Sequence, residues 1–209
     1  MRLYLSSFRV GDDPSWLREL AASGRCRAAH VPNALDVVTD RDARAFYEQN
    51  DRADLEALGF SVSRLDLIAW FGREKALDEC LYAYDLIWAS GGNVFALRQA
   101  MRRSGLDAAL RRRWANETDL AYGGFSAGIC VLGPTLEGLH LVDDPEPSPY
   151  GGSVSTCWEG LDLIPWIPVP HYRSGHAESD RIDAVVRYLE EKRLPHVTMR
   201  DGESRVLEG

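Results

Sequence analysis

The feature that most constrains this chain is a glycine-mediated handover from buried strand to helix, made twice. "DLIWAS" (85–90) is a compact apolar run that ends in Gly91-Gly92-Asn93 and passes straight into the amphipathic "VFALRQAMRRSG" (94–105), which Gly105 closes. "TDLAYGGFSAGICVLG" (118–133) reads the same way: strand, sharp turn, short helix. Strands that alternate with helices specify a parallel sheet covered by its own crossovers.

The remaining sequence keeps that alternation. "RLYLSSF" (2–8), "RAAHVPNA" (27–34) and "SVSRLDL" (61–67) have strand character. Helical spacing runs through "DPSWLRELAAS" (13–23), with Gly24 as its stop, and through 39–60, with Thr39 or Asp40 as N-cap and Gly59 as stop. Further helices are expected at 74–83, 106–117 and 178–194. "DLIPWIPVPHY" (162–172) is apolar and broken by proline, and "HVTMRDG" and "SRVLEG" give short strands at the end. A doubly wound α/β domain with a largely parallel central sheet follows, a single domain over 1–209. The Pro-, Gly- and Asp-rich stretch 137–153 is expected as a surface loop beside the site.

Charge excludes two classes of partner. The net charge of -8 does not suit non-specific nucleic-acid binding, nor adsorption to an anionic membrane. No apolar run reaches the ~20 residues that span a bilayer, and acidic Asp12 arrives too early for a secretory signal, so a cytoplasmic location is expected. Cys26, Cys80, Cys130 and Cys157 are scattered and form no C-x-x-C pair. Reduced packing thiols are expected, with no metal and no cofactor.

The second handover holds the chemistry. Gly124-Phe125-Ser126-Ala127-Gly128 places a serine between two glycines on a strand-to-helix turn, as a nucleophile elbow requires. The Ala127 amide follows at a helix N-terminus, where partial positive charge favours an oxyanion. A serine that merely caps the helix satisfies the same short pattern. A nucleophile also needs a base and an orienting acid. Of five histidines, His171 at the carboxyl end of the proline-broken strand leads, ahead of His176 and His140. His30, inside a strand, reads as a core histidine. Asp201 follows a late strand, and Asp143 and Asp144 in the long loop are the other acids. The segment after Ser126 is too short for the usual α/β-hydrolase plan. The amides of the Gly91-Gly92 turn are candidates for a second oxyanion donor; without Lys-Ser/Thr after them they are not a P-loop.

Together, "SGGNVFALRQAMRRSGL", "GGFSAGICVLGPT", "GLDLIPWIPVPHY" and "RDGESRVLEG" resemble the peptidase E family of aspartyl dipeptidases, whose wider relatives include cyanophycinases. The resemblance covers most of 85–209. It implies a three-layer α/β/α fold similar to class I glutamine amidotransferase domains, with serine replacing their cysteine. It also implies Ser126 as nucleophile, His171 as base, Gly92 and Ala127 as oxyanion-hole amides, and Asp201 in place of a more usual glutamate. Asn93, Arg173 and Arg181 are the substrate-contacting candidates, the arginines for a substrate carboxylate. The segment after His171 is shorter than in aspartyl dipeptidases, and the loop 137–153 does not match closely. The expected activity is hydrolysis of short peptides, dipeptides and Asp-X among them. The alternatives are an esterase or amidase, or a non-catalytic binding protein of the same fold. The expected partner is a small peptide substrate, and a homodimer is the assembly kept open.

Overall fold

A computed structural model describes residues 1–146, 149–151 and 155–208. Six strands form the central sheet: β1 (Arg2–Ser6), β2 (Arg27–Val31), β3 (Ser61–Arg64), β4 (Leu86–Ala89), β5 (Ala121–Phe125) and, at the C-terminal end of the sequence, β8 (Ser204–Glu208). Their spatial order is β3-β2-β4-β5-β1-β8; every neighbouring pair is parallel except β1 with β8. A separate parallel pair joins β6 (Ile167–Val169) to β7 (His196–Thr198).

Side-chain alternation assigns the helices to two faces. Leu3, Leu5, Ala29, Ile87, Ala89 and Tyr122 belong to one core. That core is covered by α3 (Glu74–Leu81), α4 (Val94–Ser104), α5 (Leu106–Ala115), α6 (Ala127–Cys130) and α7 (Ser179–Glu191). The intervening residues Tyr4, Ala28, Leu86, Trp88 and Ala121 point the other way, onto α1 (Ser15–Ala22) and α2 (Arg41–Ala57). The result is the expected three-layer α/β/α arrangement. β4 is buried at all four positions, as a central parallel strand with two covered faces must be.

Local chemistry sets the element ends. The Asp40 carboxylate accepts the amides of Asp42 and Ala43, so it, rather than Thr39, caps α2. Asn93 caps α4 by accepting the Ala96 amide, and Gly105 stops that helix in the left-handed conformation at φ 80°. The expected strand 61–67 ends at Arg64, because Asp66 caps a 3-10 turn over Leu67–Trp70. The apolar run 162–172 supplies only the three residues of β6, its other positions being spent on a turn.

The stretch 137–153 lies beside the site but is not a free surface loop. Leu139 is buried, the Asp143 carboxylate accepts the Val94 amide, and the Asp144 carbonyl accepts the Asn93 side-chain amide. Residues 147–148 and 152–153 of that stretch lie outside the described residues. No helix of the described residues is long and apolar enough to cross a membrane.

Candidate active site

Five chain segments meet where strands end. Ser6 of β1 is in register with Phe125 of β5, and Ala89 of β4 with Gly124, so Ser7, Ser90 and Ser126 all emerge at one sheet edge. Val169 of β6 is in register with Thr198 of β7, which brings the segments carrying His171 and Asp201 out side by side.

Ser126 has φ 49° and ψ -119°, a region that residues with a Cβ rarely occupy. Its two glycine neighbours follow from packing against β4. A Cβ on Gly124 would lie 2.6 Å from the Ala89 carbonyl oxygen, and one on Gly128 would strike the same oxygen. The Tyr122 hydroxyl donates to the Gly128 carbonyl at 2.7 Å and ties the turn to β5. The Ser126 side chain makes no capping hydrogen bond, which separates it from an ordinary helix-capping serine.

The Gly91-Gly92 turn packs directly against this elbow. A Cβ on Gly91 would lie 2.6 Å from the Phe125 ring and 3.1 Å from the Ser126 Cβ. Gly92 sits at φ 132°, where an added Cβ would lie 2.5 Å from the Ala34 carbonyl oxygen. Beneath it, the Ser90 hydroxyl donates to Asp51 Oδ2 at 2.6 Å, and His30 Nε2 lies 2.7 Å from the Ser90 oxygen. His30 is thus a hydrogen-bonded core histidine, as its strand position suggests.

His171 is buried and Asp201 half-buried, with His171 Nδ1 2.7 Å from Asp201 Oδ1. A carboxylate only accepts, so Nδ1 carries the proton and Nε2 keeps its lone pair. Burial is the largest influence on this imidazole and lowers its pKa; the bond to Asp201 works in the opposite direction. Two serines brace the pair. Ser7 Oγ accepts the His171 amide at 2.9 Å and faces Asp201 Oδ1 at 3.1 Å, and the Asp201 amide donates to Ser174 Oγ at 2.8 Å. Ser126 and His171 both line one cleft of about 480 Å³, a size suited to a small ligand.

The other candidates are placed as follows. Asp143 joins Ser126, Ala127 and His171 around a small cavity, and burial pushes its carboxyl up to about 7. Asp144 is exposed and accepts the Glu146 amide. His140 packs between Trp158 and Tyr188. His176 stacks on His171 with ring centroids 3.8 Å apart. His171, His176 and Glu178 bring three ligand-type atoms within 4.8 Å of one another, a set able to hold a metal ion. Cys130 is buried against the Pro168 carbonyl, and burial raises its thiol, in keeping with a packing role. Both ends of the Asn93 side chain are engaged in capping and loop docking. Arg173 is exposed over the Tyr172 ring, while Arg181 donates to the Val142 carbonyl and pairs with Glu178.

The cleft also contains residues that sequence reasoning passed over: Phe8, Arg9, Phe46, Tyr47 and Asp51. One signal was available. Phe46 and Tyr47 are adjacent apolar residues on a helix whose buried positions are Asp51 and Leu55, so they lie off its buried stripe. Nothing local marks Ser7 or Ser174 as braces, since the His171 and Asp201 groups that Ser7 touches, and the Asp201 amide that Ser174 accepts, are distant from them in sequence.

A family model described as Peptidase family S51 matches residues 10–209. An uncharacterized peptidase of Listeria innocua is 29% identical over 132 residues, covering 62% of this chain and 58% of the relative. Peptidase E of Streptomyces coelicolor is 32% identical over 130 residues, covering 60% of this chain and 49% of the relative. The matched region thus spans about half to three-fifths of these curated relatives. Two solved structures share the fold. One, from Listeria monocytogenes EGD-e with a provisional peptidase E designation, gives a TM-score of 0.78 at 22% identity, covering 100% of this chain and 94% of that one. The other, a peptidase from an acI-B1 Actinobacterium, gives 0.70 at 16% identity, covering 99% and 83%. The likeness extends the class I glutamine amidotransferase-like architecture to this chain.

Proposed function

This chain belongs to peptidase family S51, and on that premise we propose that it is a serine peptidase that hydrolyses short peptides, dipeptides included, through an acyl-enzyme on Ser126. The observation that carries the reading is the strained, uncapped Ser126 in one cleft with a histidine whose Nδ1 is held by a carboxylate.

The chemistry runs in two halves. His171 Nε2 takes the Ser126 proton as Oγ attacks the scissile carbonyl carbon. The amides of Gly92 and Ala127 receive the developing oxyanion; both precede or open helices, where backbone N–H groups are free to donate. His171 then gives its proton to the amine as the C–N bond breaks. Water, deprotonated by the same imidazole, attacks the acyl carbon and releases Ser126. Asp201 holds the imidazole with Nδ1 protonated and stabilises its cationic form. The depressed pKa of His171 keeps it neutral, and therefore basic, at neutral pH.

The test is turnover of a dipeptide panel by purified protein and by Ser126→Ala, with fluorophosphonate labelling in parallel. Labelling of the parent at Ser126 and loss of turnover in the variant are expected. Turnover by Ser126→Ala at the parent rate sinks the mechanism, and hydrolysis of p-nitrophenyl esters without any dipeptide places the protein among esterases instead.

A further inference from the structure

We infer that the cleft over Ser126 receives an apolar side chain, so that the substrate class is short peptides whose acyl-donating residue is aliphatic or aromatic rather than acidic. This deepens the serine-peptidase reading and rests on it.

The first support is the wall of the cleft. Phe8, Leu35, Val38, Phe46, Tyr47 and Phe125 line it together with Ser126 and Gly92. Phe46 and Tyr47 are 62% and 48% exposed and lie off the buried stripe of α2. Phe8 and Phe125 meet edge to face with centroids 6.1 Å apart, and Phe8 also packs on the rings of His171 and His176. Apolar rings left in water beside a reactive serine are surface that a bound apolar group would cover.

The second support is charge. Arg9, Asp51 and Glu178 are the charged residues lining the cleft among those described. Arg9 is already paired with Asp54, its Nε 2.7 Å from Oδ2. Asp51 is buried and accepts the Ser90 hydroxyl, and Glu178 is paired with Arg181 at 3.7 Å, so among the described residues no unpaired cation lines the cleft. A substrate carboxylate would find no free cation to receive it and two carboxylates nearby, which disfavours it. The expected cations Arg173 and Arg181 do not supply one, since neither lines the cleft and Arg181 is already paired with Glu178. Half-buried Glu178 is the lining carboxylate with solvent access, the group placed to receive the free ammonium of a short peptide.

The experiment compares kcat/KM for leucyl-alanine, phenylalanyl-alanine, aspartyl-alanine and lysyl-alanine, with fluorophosphonate labelling of Ser126 as an independent readout. A preference of about tenfold or more for the leucyl or phenylalanyl peptide over the other two is expected. The double variant Phe46→Ser/Tyr47→Ser, whose substitutions are at exposed positions, should lower the leucyl-to-aspartyl ratio by about tenfold. Its circular-dichroism spectrum should match the parent. If Ser126 labels but aspartyl- or lysyl-alanine is the best substrate, the inference is overturned and the serine-peptidase reading stands. An unchanged ratio in the double variant likewise overturns it. If Ser126 neither labels nor supports hydrolysis of any peptide, both fall together.

Discussion

Ser126→Gly should stabilise the protein while abolishing its activity. The backbone at Ser126, φ 49° and ψ -119°, is tolerated by glycine but strained for any residue with a Cβ. Such strain costs about 1–3 kcal/mol. Glycine gives back about 0.4–1 kcal/mol by loosening the unfolded chain. The net gain is therefore about 1 kcal/mol, or a rise of about 2–4 °C in Tm for a chain of this size. Ser126→Ala is the control, because it removes the same hydroxyl and keeps the Cβ and with it the strain. Neither variant loses a cap, since the serine side chain makes no capping bond. Thermal unfolding of both variants under identical conditions measures the difference. A Ser126→Gly midpoint equal to or below that of Ser126→Ala would refute the idea that this turn stores strain for function.

Three further outcomes are expected. Asp201→Asn should lower kcat on the order of 10³–10⁴-fold, with KM little changed, because the amide no longer fixes the Nδ1–H tautomer of His171; steady-state kinetics on the best dipeptide reads this. The acid limb of kcat/KM should lie below the ordinary imidazole value of 6.5, because burial lowers His171 and the base must be neutral to act. Its inflection should move lower still in Asp201→Asn, which loses the influence that raises that pKa. Asp143 has a folded pKa of about 7 against 3.8 unfolded, so the folded state holds a proton that the unfolded chain has released. The stability this confers is present below about pH 4 and is lost as pH rises through 7. Urea midpoints at pH 4.5 and 7.5 should therefore differ less in Asp143→Asn than in the parent.

Much of this arrangement was legible in the residues. The strand-to-helix handovers at 85–105 and 118–133 predict parallel pairing, and their glycines mark where strand, turn and helix come closest. Gly124 and Gly128 illustrate the reason: both face the Ala89 carbonyl of β4, so the motif reports a packing constraint as well as a strained turn. His171 and Asp201 were nameable from chain order, strand ends and resemblance. Three aspartates competed as the orienting acid, and local sequence does not separate them, because the distance to His171 depends on how β7 pairs with β6.

The sequence by itself determined the alternation of elements, the glycine-flanked serine and the net negative charge, because periodicity, backbone freedom and charge are properties of the residues themselves. Only the tertiary structure decided what Ser126 faces. Ser7 and Arg9 after β1, and Asp51 and the Phe46-Tyr47 pair on α2, come from two segments remote from one another and from the serine, and they meet at the sheet edge through long-range packing. It likewise gave Arg173 and Arg181, equally plausible as cations in sequence, positions outside the cleft, where a ring, a carbonyl and a carboxylate hold them. Which side chains surround a reactive atom is set by burial and strand register, and neither is encoded within any one stretch of chain.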